Sequence, residues 1–255
     1  MYSANDYIAV FDSGVGGISV LRQLRKLLPE ENYVYFGDCA NAPYGVRPTR
    51  EVRDLTMAAA ERLIGAYPVK ALVVACNTAT AAAITALRER YPDLIVIGIE
   101  PALKLAADHY PGGNIGVMAT QVTLREEKFD LLLHRFDENC TIHKIPAPGL
   151  VELVEAGKTE GPEMDAFLRE LLAPYAGRLN ALVLGCTHYP FAARAISRIL
   201  GESTVLLDGG EGTARETRRR LALAGLLRQG EGSLDILSSK SDGKMIELAK
   251  KLLGE

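Results

Sequence analysis

No stretch of this chain reaches the eighteen or so consecutive apolar residues that a membrane-crossing helix needs. The opening segment, Met1 to Tyr7, has no basic start followed by an apolar core. The expectation is a protein that stays in the cytoplasm, off the membrane. Excess positive charge is lacking too: the net charge is -3 at pH 7, which offers no field to gather nucleic acid or anionic lipid. The four cysteines, Cys39, Cys76, Cys140 and Cys186, include no CxxC pair, and His109, His134, His143 and His188 show no paired ligand spacing with them. A zinc site and a disulfide framework are therefore not expected, and unpaired thiols fit a reducing compartment. Nucleotide signatures are missing as well. In the glycine-rich turn Asp12-Ser13-Gly14-Val15-Gly16-Gly17, the third glycine of GxGxxG would fall at Ser19, and no Gly-Lys-Ser/Thr follows. No lysine stands in a turn marked as a Schiff-base site, so pyridoxal phosphate is not called for, and no cofactor or metal is expected.

Two stretches stand out against these absences. Ala71-Leu72-Val73-Val74-Ala75-Cys76-Asn77-Thr78 and Ala181-Leu182-Val183-Leu184-Gly185-Cys186-Thr187-His188 are each a short apolar run ending in cysteine and polar residues. Such runs are too short for helices and suit fully buried parallel strands. Helical composition follows, over Ala79 to Leu87 and Pro190 to Leu200, so each cysteine sits at a strand-to-helix turn. Free amides and the helix dipole there make a thiol easier to ionise. A lone cysteine after a strand is more often a small buried hydrophobe. An inert core position, however, has no reason to carry Cys-Asn-Thr in one copy and Cys-Thr-His in the other.

The repetition extends beyond the cysteines. Strands are expected at Tyr7 to Phe11, Tyr33 to Gly37 and Leu94 to Ile97, with an amphipathic helix from Thr49 to Ala66 and a loop, Asp38 to Gly45, dense in turn residues. Near Glu100-Pro101 the pattern restarts. Ile115 to Thr120 resembles Ile8 to Ser13 at an offset of 107, close to the offset of 110 between the cysteine strands. That is an internal duplication in which Thr120 stands for Ser13 and the acid is lost. A helix from Gln121 to Phe136, a strand from Thr141 to Ile145 and the loop Pro146 to Gly149 leading to Glu152 complete the second copy. Beyond a strand at Val205 to Asp208, Gly209-Gly210-Glu211-Gly212 reads as a hinge into a long helix, Thr213 to Gln229. A strand at Leu234 to Leu237 and a helix from Asp242 to Leu253 then cross back to the first copy, and Arg218-Arg219-Arg220 is a solvated helix face. Strands alternating with helices argue for an α/β protein with mostly parallel sheets flanked by helices and ligands at the strands' C-terminal ends. At 255 residues one core begins to split into two. The expected domains are 1–97 with 212–255, and 98–211.

Two thiols facing one carbon from opposite sides suit deprotonation on one face and reprotonation on the other, which inverts a stereocentre. The residues that carry this reading also resemble the glutamate racemases of the cofactor-independent aspartate/glutamate racemase superfamily. The resemblance runs through Phe11 to Gly17, Phe36-Gly37-Asp38 with Ala42-Pro43-Tyr44-Gly45, Ala75-Cys76-Asn77-Thr78-Ala79, and Gly185-Cys186-Thr187-His188-Tyr189-Pro190. It implies two α/β domains related by a pseudo-twofold with the site in the cleft between them. It further implies that Cys76 takes the proton from D-glutamate and Cys186 from L-glutamate. Substrate contacts would fall to Asp12, Ser13, Tyr44, Gly45, Asn77, Thr78, Thr187 and His188, with Thr120 nearby and Glu152 as the partner of His188. Ala119 stands where the family commonly has glycine. The family is cytoplasmic, usually dimeric, and supplies D-glutamate for peptidoglycan. Two other readings stay open at this point: an aspartate or hydantoin racemase with the same cysteines, and a non-catalytic two-domain amino-acid-binding protein. A cysteine phosphatase is disfavoured, since Ala82 and Ala192 stand where a phosphate-cradling arginine would.

Overall fold

The computed structural model describes residues 2–125, 136 and 139–254. Four apolar runs in the first hundred residues become strands: β1 (Tyr7–Asp12), β2 (Tyr33–Gly37), β3 (Val69–Val74) and β4 (Ile95–Gly98). Every residue of β2 and β3 is buried, which is why these runs do not alternate with polar residues, Lys70 near the start of β3 being the one charged exception. Burying each Val, Leu or Ile contributes roughly 1.5–3 kcal/mol, enough to set short β-branched runs as strands. Between them lie the helices α1 (Ile18–Leu27), α2 (Thr49–Ala66) and α3 (Asn77–Arg90). One face of the sheet, through Phe11, Phe36, Leu72 and Val74, packs on Val52, Leu63, Ala83 and Leu87 of α2 and α3.

The second run of elements comprises α4 (Leu103–His109), β5 (Asn114–Ala119), α5 (Gln121–Arg125), β6 (Thr141–Pro146), α6 (Leu150–Glu155), α7 (Pro162–Leu172), β7 (Ala181–Leu184), α8 (Ala193–Leu200) and β8 (Val205–Asp208). Side chains of β5 and β7 alternate between two cores. Met118, Leu182 and Leu184 join Leu150, Leu168 and Ile196 on one face, while Ile115, Val117 and Val183 join Leu103 and Ala106 on the other. The chain then continues through α9 (Gly210–Leu223), β9 (Leu234–Ser238) and α10 (Lys244–Leu253).

The chain divides into two compact units, residues 1–100 with 210–255, and residues 101–209. These boundaries lie two or three residues from those expected at 97/98 and 211/212. Each unit holds one sheet, and every strand pairing is parallel. The first sheet has the order β4-β3-β1-β2-β9, and the second β6-β5-β7-β8. Read backwards, the second order repeats the first four strands of the first sheet. The register repeats as well: Ile8 pairs with Ala71 and Phe11 with Val74, as Ile115 pairs with Ala181 and Met118 with Leu184. The backbone bond from Ala75 N to Phe11 O, 2.8 Å, has its counterpart from Gly185 N to Met118 O, 2.7 Å. The duplication is therefore present at the level of single hydrogen bonds. The fifth strand, β9, has no counterpart among the described residues of the second unit and lies on β2, with Gly37 opposite Ser238.

Several expected boundaries move. The glycines read as a hinge begin α9, which starts at Gly210, and this helix stops at Leu223 rather than Gln229. Gly225 explains the stop: its φ of 67° is the left-handed conformation that ends helices, and Leu226 N closes the turn onto Leu221 O at 2.9 Å. Of the helix expected over Gln121 to Phe136, Gln121–Arg125 is helical and 126–135 lie outside the described residues, as does His134. Among the described residues no helix is long and apolar enough to cross a membrane.

Candidate active site

In the first unit the candidate residues gather at the C-terminal ends of β1 and β3. Asp12 ends β1 and is fully buried, and its Oδ1 accepts the Gly14 amide at 2.8 Å, bending the glycine-rich turn back on itself. Tyr35 of β2 pins the same turn, donating its hydroxyl to Gly14 O at 2.8 Å. Ser13 is thereby held with Oγ 3.6 Å from the sulfur of Cys76. Cys76 caps α3, and its sulfur accepts the Ala79 amide at 3.5 Å, so the helix's first turn converges on the thiol and favours negative charge there. Asn77 and Thr78 form that first turn and are buried. The side-chain oxygen of Asn77 is a buried acceptor with no hydrogen-bond partner among the described residues. An orphaned acceptor costs about 1–3 kcal/mol, and a ligand N–H would satisfy it.

Tyr44 and Gly45 lie in a short 3-10 turn, Tyr44–Val46, that follows a cis Ala42–Pro43 peptide. Tyr44 is buried and donates its hydroxyl to Asp38 Oδ2 at 2.7 Å. Burial, that hydrogen bond and the charges of Asp38, Cys76 and Asp12 push the phenol far above its ordinary value, so Tyr44 stays a donor. Asp38 also receives the Asn41 amide at 3.1 and 3.0 Å, and its own amide donates to Asp12 O at 2.9 Å. Asp38 is thus the hub of this loop.

In the second unit Cys186, Thr187 and His188 follow β7 and are all buried. Gly185 lets the turn pass the end of β5: a Cβ there would stand 3.0 Å from Ala119 Cβ and 3.1 Å from Met118 O. His188 Nδ1 lies 3.6 Å from the Cys186 sulfur, and Nε2 lies 2.7 Å from Glu155 Oε1. Burial alone would lower the imidazole's pKa, but the hydrogen bonds to Cys186 and Glu155, with the charges behind them, hold it well above 6.5. His188 is thus set between a sulfur and a carboxylate that both favour its protonated form.

The carboxylate on His188 is Glu155, not the expected Glu152. Both stand on α6, one turn apart on neighbouring faces, and the helix's rotation gives Glu155 to the imidazole. Glu152 acts instead on Tyr189, whose hydroxyl is raised well above its usual value by burial first and then by the charges of Cys186 and Glu152. The run Leu150 to Glu155 offers two glutamates, and only the helix's placement tells them apart. Thr120 caps α5: its Oγ1 accepts the Thr123 amide at 3.2 Å and lies 2.9 Å from Thr123 Oγ1. All four cysteines are free thiols, and among the described residues no group of three or more His, Cys, Asp or Glu could hold a metal ion.

The family model for Asp/Glu/Hydantoin racemases matches residues 17–217. A glutamate racemase of Clostridium perfringens (strain SM101 / Type A) is 48% identical over 254 residues, covering 98% of this chain and 96% of that one. Among solved structures, a glutamate racemase from Francisella tularensis in complex with D-glutamate superposes with a TM-score of 0.86 at 27% identity, covering 99% of this chain and 95% of that one. Glutamate racemase from Escherichia coli, in complex with L-glutamate and an activator, UDP-MurNAc-ala, gives 0.85 at 32% identity over 96% and 94% of the two chains.

Proposed function

The chain belongs to the Asp/Glu/hydantoin racemase family, and from that premise we propose that it interconverts L- and D-glutamate with Cys76 and Cys186 as the two bases. The observation that carries the reading is the equivalence of the two thiols. Each stands two residues beyond the strand that pairs with the first strand of its unit, in the same register, and each sulfur has a polar side-chain atom 3.6 Å away. The complexes of related racemases with D- and with L-glutamate support the choice of substrate.

In the direction from D-glutamate, the Cys76 thiolate takes the α-proton and the electron pair stays on carbon. The Cys186 thiol then gives its proton to the opposite face, leaving Cys76 as thiol and Cys186 as thiolate. The reverse turnover restores both. Each sulfur must come about 3–3.5 Å from the carbon whose proton it exchanges. The α-hydrogen is a far weaker acid than a thiol, so the carbanion needs fixed donors at the carboxylate and exclusion of water. Ser13, Thr78, Thr187 and backbone amides are assigned that role, and the orphaned oxygen of Asn77 is assigned to the substrate ammonium. His188, backed by Glu155, is assigned to hold a proton beside Cys186. Asp12, Tyr44 and Gly45 complete the substrate contacts on the first unit, with Thr120 at the edge on the second. The D-glutamate so formed serves peptidoglycan assembly in the cytoplasm, and the working form is a homodimer.

The test is a racemisation assay on purified protein with each enantiomer of glutamate and no added cofactor. Optical rotation should decay to zero from either side, and in heavy water the product should carry deuterium at the α-carbon, because the group that returns a proton is not the one that took it. Retention of the original hydrogen would point to a single base, and no decay from either enantiomer would overturn the reading.

A further inference from the structure

We infer that Ser239, in the C-terminal return of the first unit, is a positioning residue for the racemase reaction: it holds the loop that presents Asp38 and Tyr44. The inference rests on the glutamate reading above. Asp38 follows the last residue of β2, and its carboxylate gathers the Tyr44 hydroxyl and the Asn41 amide. Ser239 follows the last residue of β9 and grips both flanks of Asp38. Its amide donates to Gly37 O at 3.1 Å, one residue before Asp38, and its hydroxyl accepts the Ala40 amide at 2.8 Å, two residues after. One serine thus spans the bend on which the aspartate sits. The adjoining tail reinforces the same place, since a Cβ on Gly37 would meet Gly14 O at 2.5 Å and the Met245 methyl at 2.7 Å.

The second unit solves the same problem differently. Ala147 occupies the position of Asp38, as the matching bonds from Asp38 N to Asp12 O and from Ala147 N to Ala119 O show. Among the described residues no fifth strand lies beside it. There the Tyr189 hydroxyl reaches Ala147 O at 3.4 Å from the cysteine turn itself. Loss of the Ser239 hydroxyl therefore loosens only the half that carries Cys76. Ala40 is exposed and Ser239 half-buried, so water can replace the bond and the fold should hardly notice. The geometry of Tyr44 and Gly45 toward substrate should notice, because small misplacements of binding groups cost rate.

The experiment compares full-length parent, Ser239→Ala and Ser239→Thr. For Ser239→Ala, kcat/KM should fall about tenfold, chiefly through a higher KM. The fall should be equal for the two enantiomers, since a racemase has an equilibrium constant of one and the two kcat/KM values must stay equal. Melting temperature should move by no more than about 2 °C. Hydrogen exchange at the Ala40 amide should quicken in Ser239→Ala, and Ser239→Thr should restore both rate and protection. A Ser239→Ala variant within about twofold of the parent, or a threonine variant no better than alanine, would overturn the inference. So would a parent whose Ala40 amide exchanges as freely as the variant's. A parent that racemises neither enantiomer overturns the glutamate reading and this inference together, and the exchange data then show whether the clamp itself exists.

Discussion

His188 is held toward its charged form in a place where burial alone would strip the charge away, and that has a consequence for stability. Its folded pKa lies above the unfolded value of about 6.5, so its contribution is fully present below that pH and is lost as pH rises through the folded pKa. Melting temperature should therefore decline above about pH 6.5 in the parent and decline less in Glu155→Gln, which takes away one source of the shift; equal slopes would show that Glu155 does not hold the proton. The cysteines are tested by turnover. Cys76→Ala and Cys186→Ala should each lose roughly 10²–10⁴-fold, the double variant should lose little more, and glutamate binding should persist. Variants that racemise normally but melt well below the parent would show core residues instead. The place of both cysteines just beyond a buried strand was legible in the sequence because strand, cysteine and polar turn residues are contiguous. Glu155 was not, since choosing between two glutamates a turn apart requires the helix's rotation. Nor were the orphaned Asn77 oxygen and the Ser239 hydroxyl, which acquire meaning only from what folds against them.

Strand positions were legible from local pattern both where burial is complete, as in β2 and β3, and where it is partial, as in β6, β8 and β9. β1 to β4 and β7 are uninterrupted apolar runs, and their observed bounds fall within a residue or two of the expected ones, apart from the polar start of β3 at Val69-Lys70. Legibility failed where glycine changes role with position: three residues read as a hinge start α9, while Gly225, unmarked in the sequence, ends it. Two glycines make the point measurable. Gly37→Ala places a methyl against the Gly14 carbonyl, which cannot retreat easily, and should cost roughly 1–3 kcal/mol. Gly65→Ala, exposed near the end of α2 with nothing within 4 Å of the added carbon, should instead gain about 0.5–1 kcal/mol. Urea midpoints of the two variants should move in opposite directions, and a shared direction would refute the space argument.

For the molecule as a whole, the notable fact is that the first unit is built from two separated stretches of chain. Lys70 ties them. Its ammonium, fully buried, is paired with Glu31 and hydrogen-bonded to Ala4 O and to Leu226 O, and Glu31 in turn accepts the Arg228 amide at 3.0 Å. Burial pulls the lysine below its ordinary pKa more strongly than Glu31 raises it, so the pair costs desolvation and returns connection. Lys70→Ala should destabilise by roughly 3–5 kcal/mol by leaving Glu31 buried and unpaired, whereas the double change Lys70→Met with Glu31→Leu should cost far less. Denaturant melts of the two would decide it. The same discontinuity fixes an order in time. A chain emerging from the ribosome releases β1 to β4, then the whole of the second unit, and only afterwards β9, whose place is beside β2. The half that carries Cys186 can close on itself while the half that carries Cys76 still waits for its edge strand. A nascent chain halted after Gly209 would thus hold one finished thiol turn and one whose Asp38 bend has not yet met its serine.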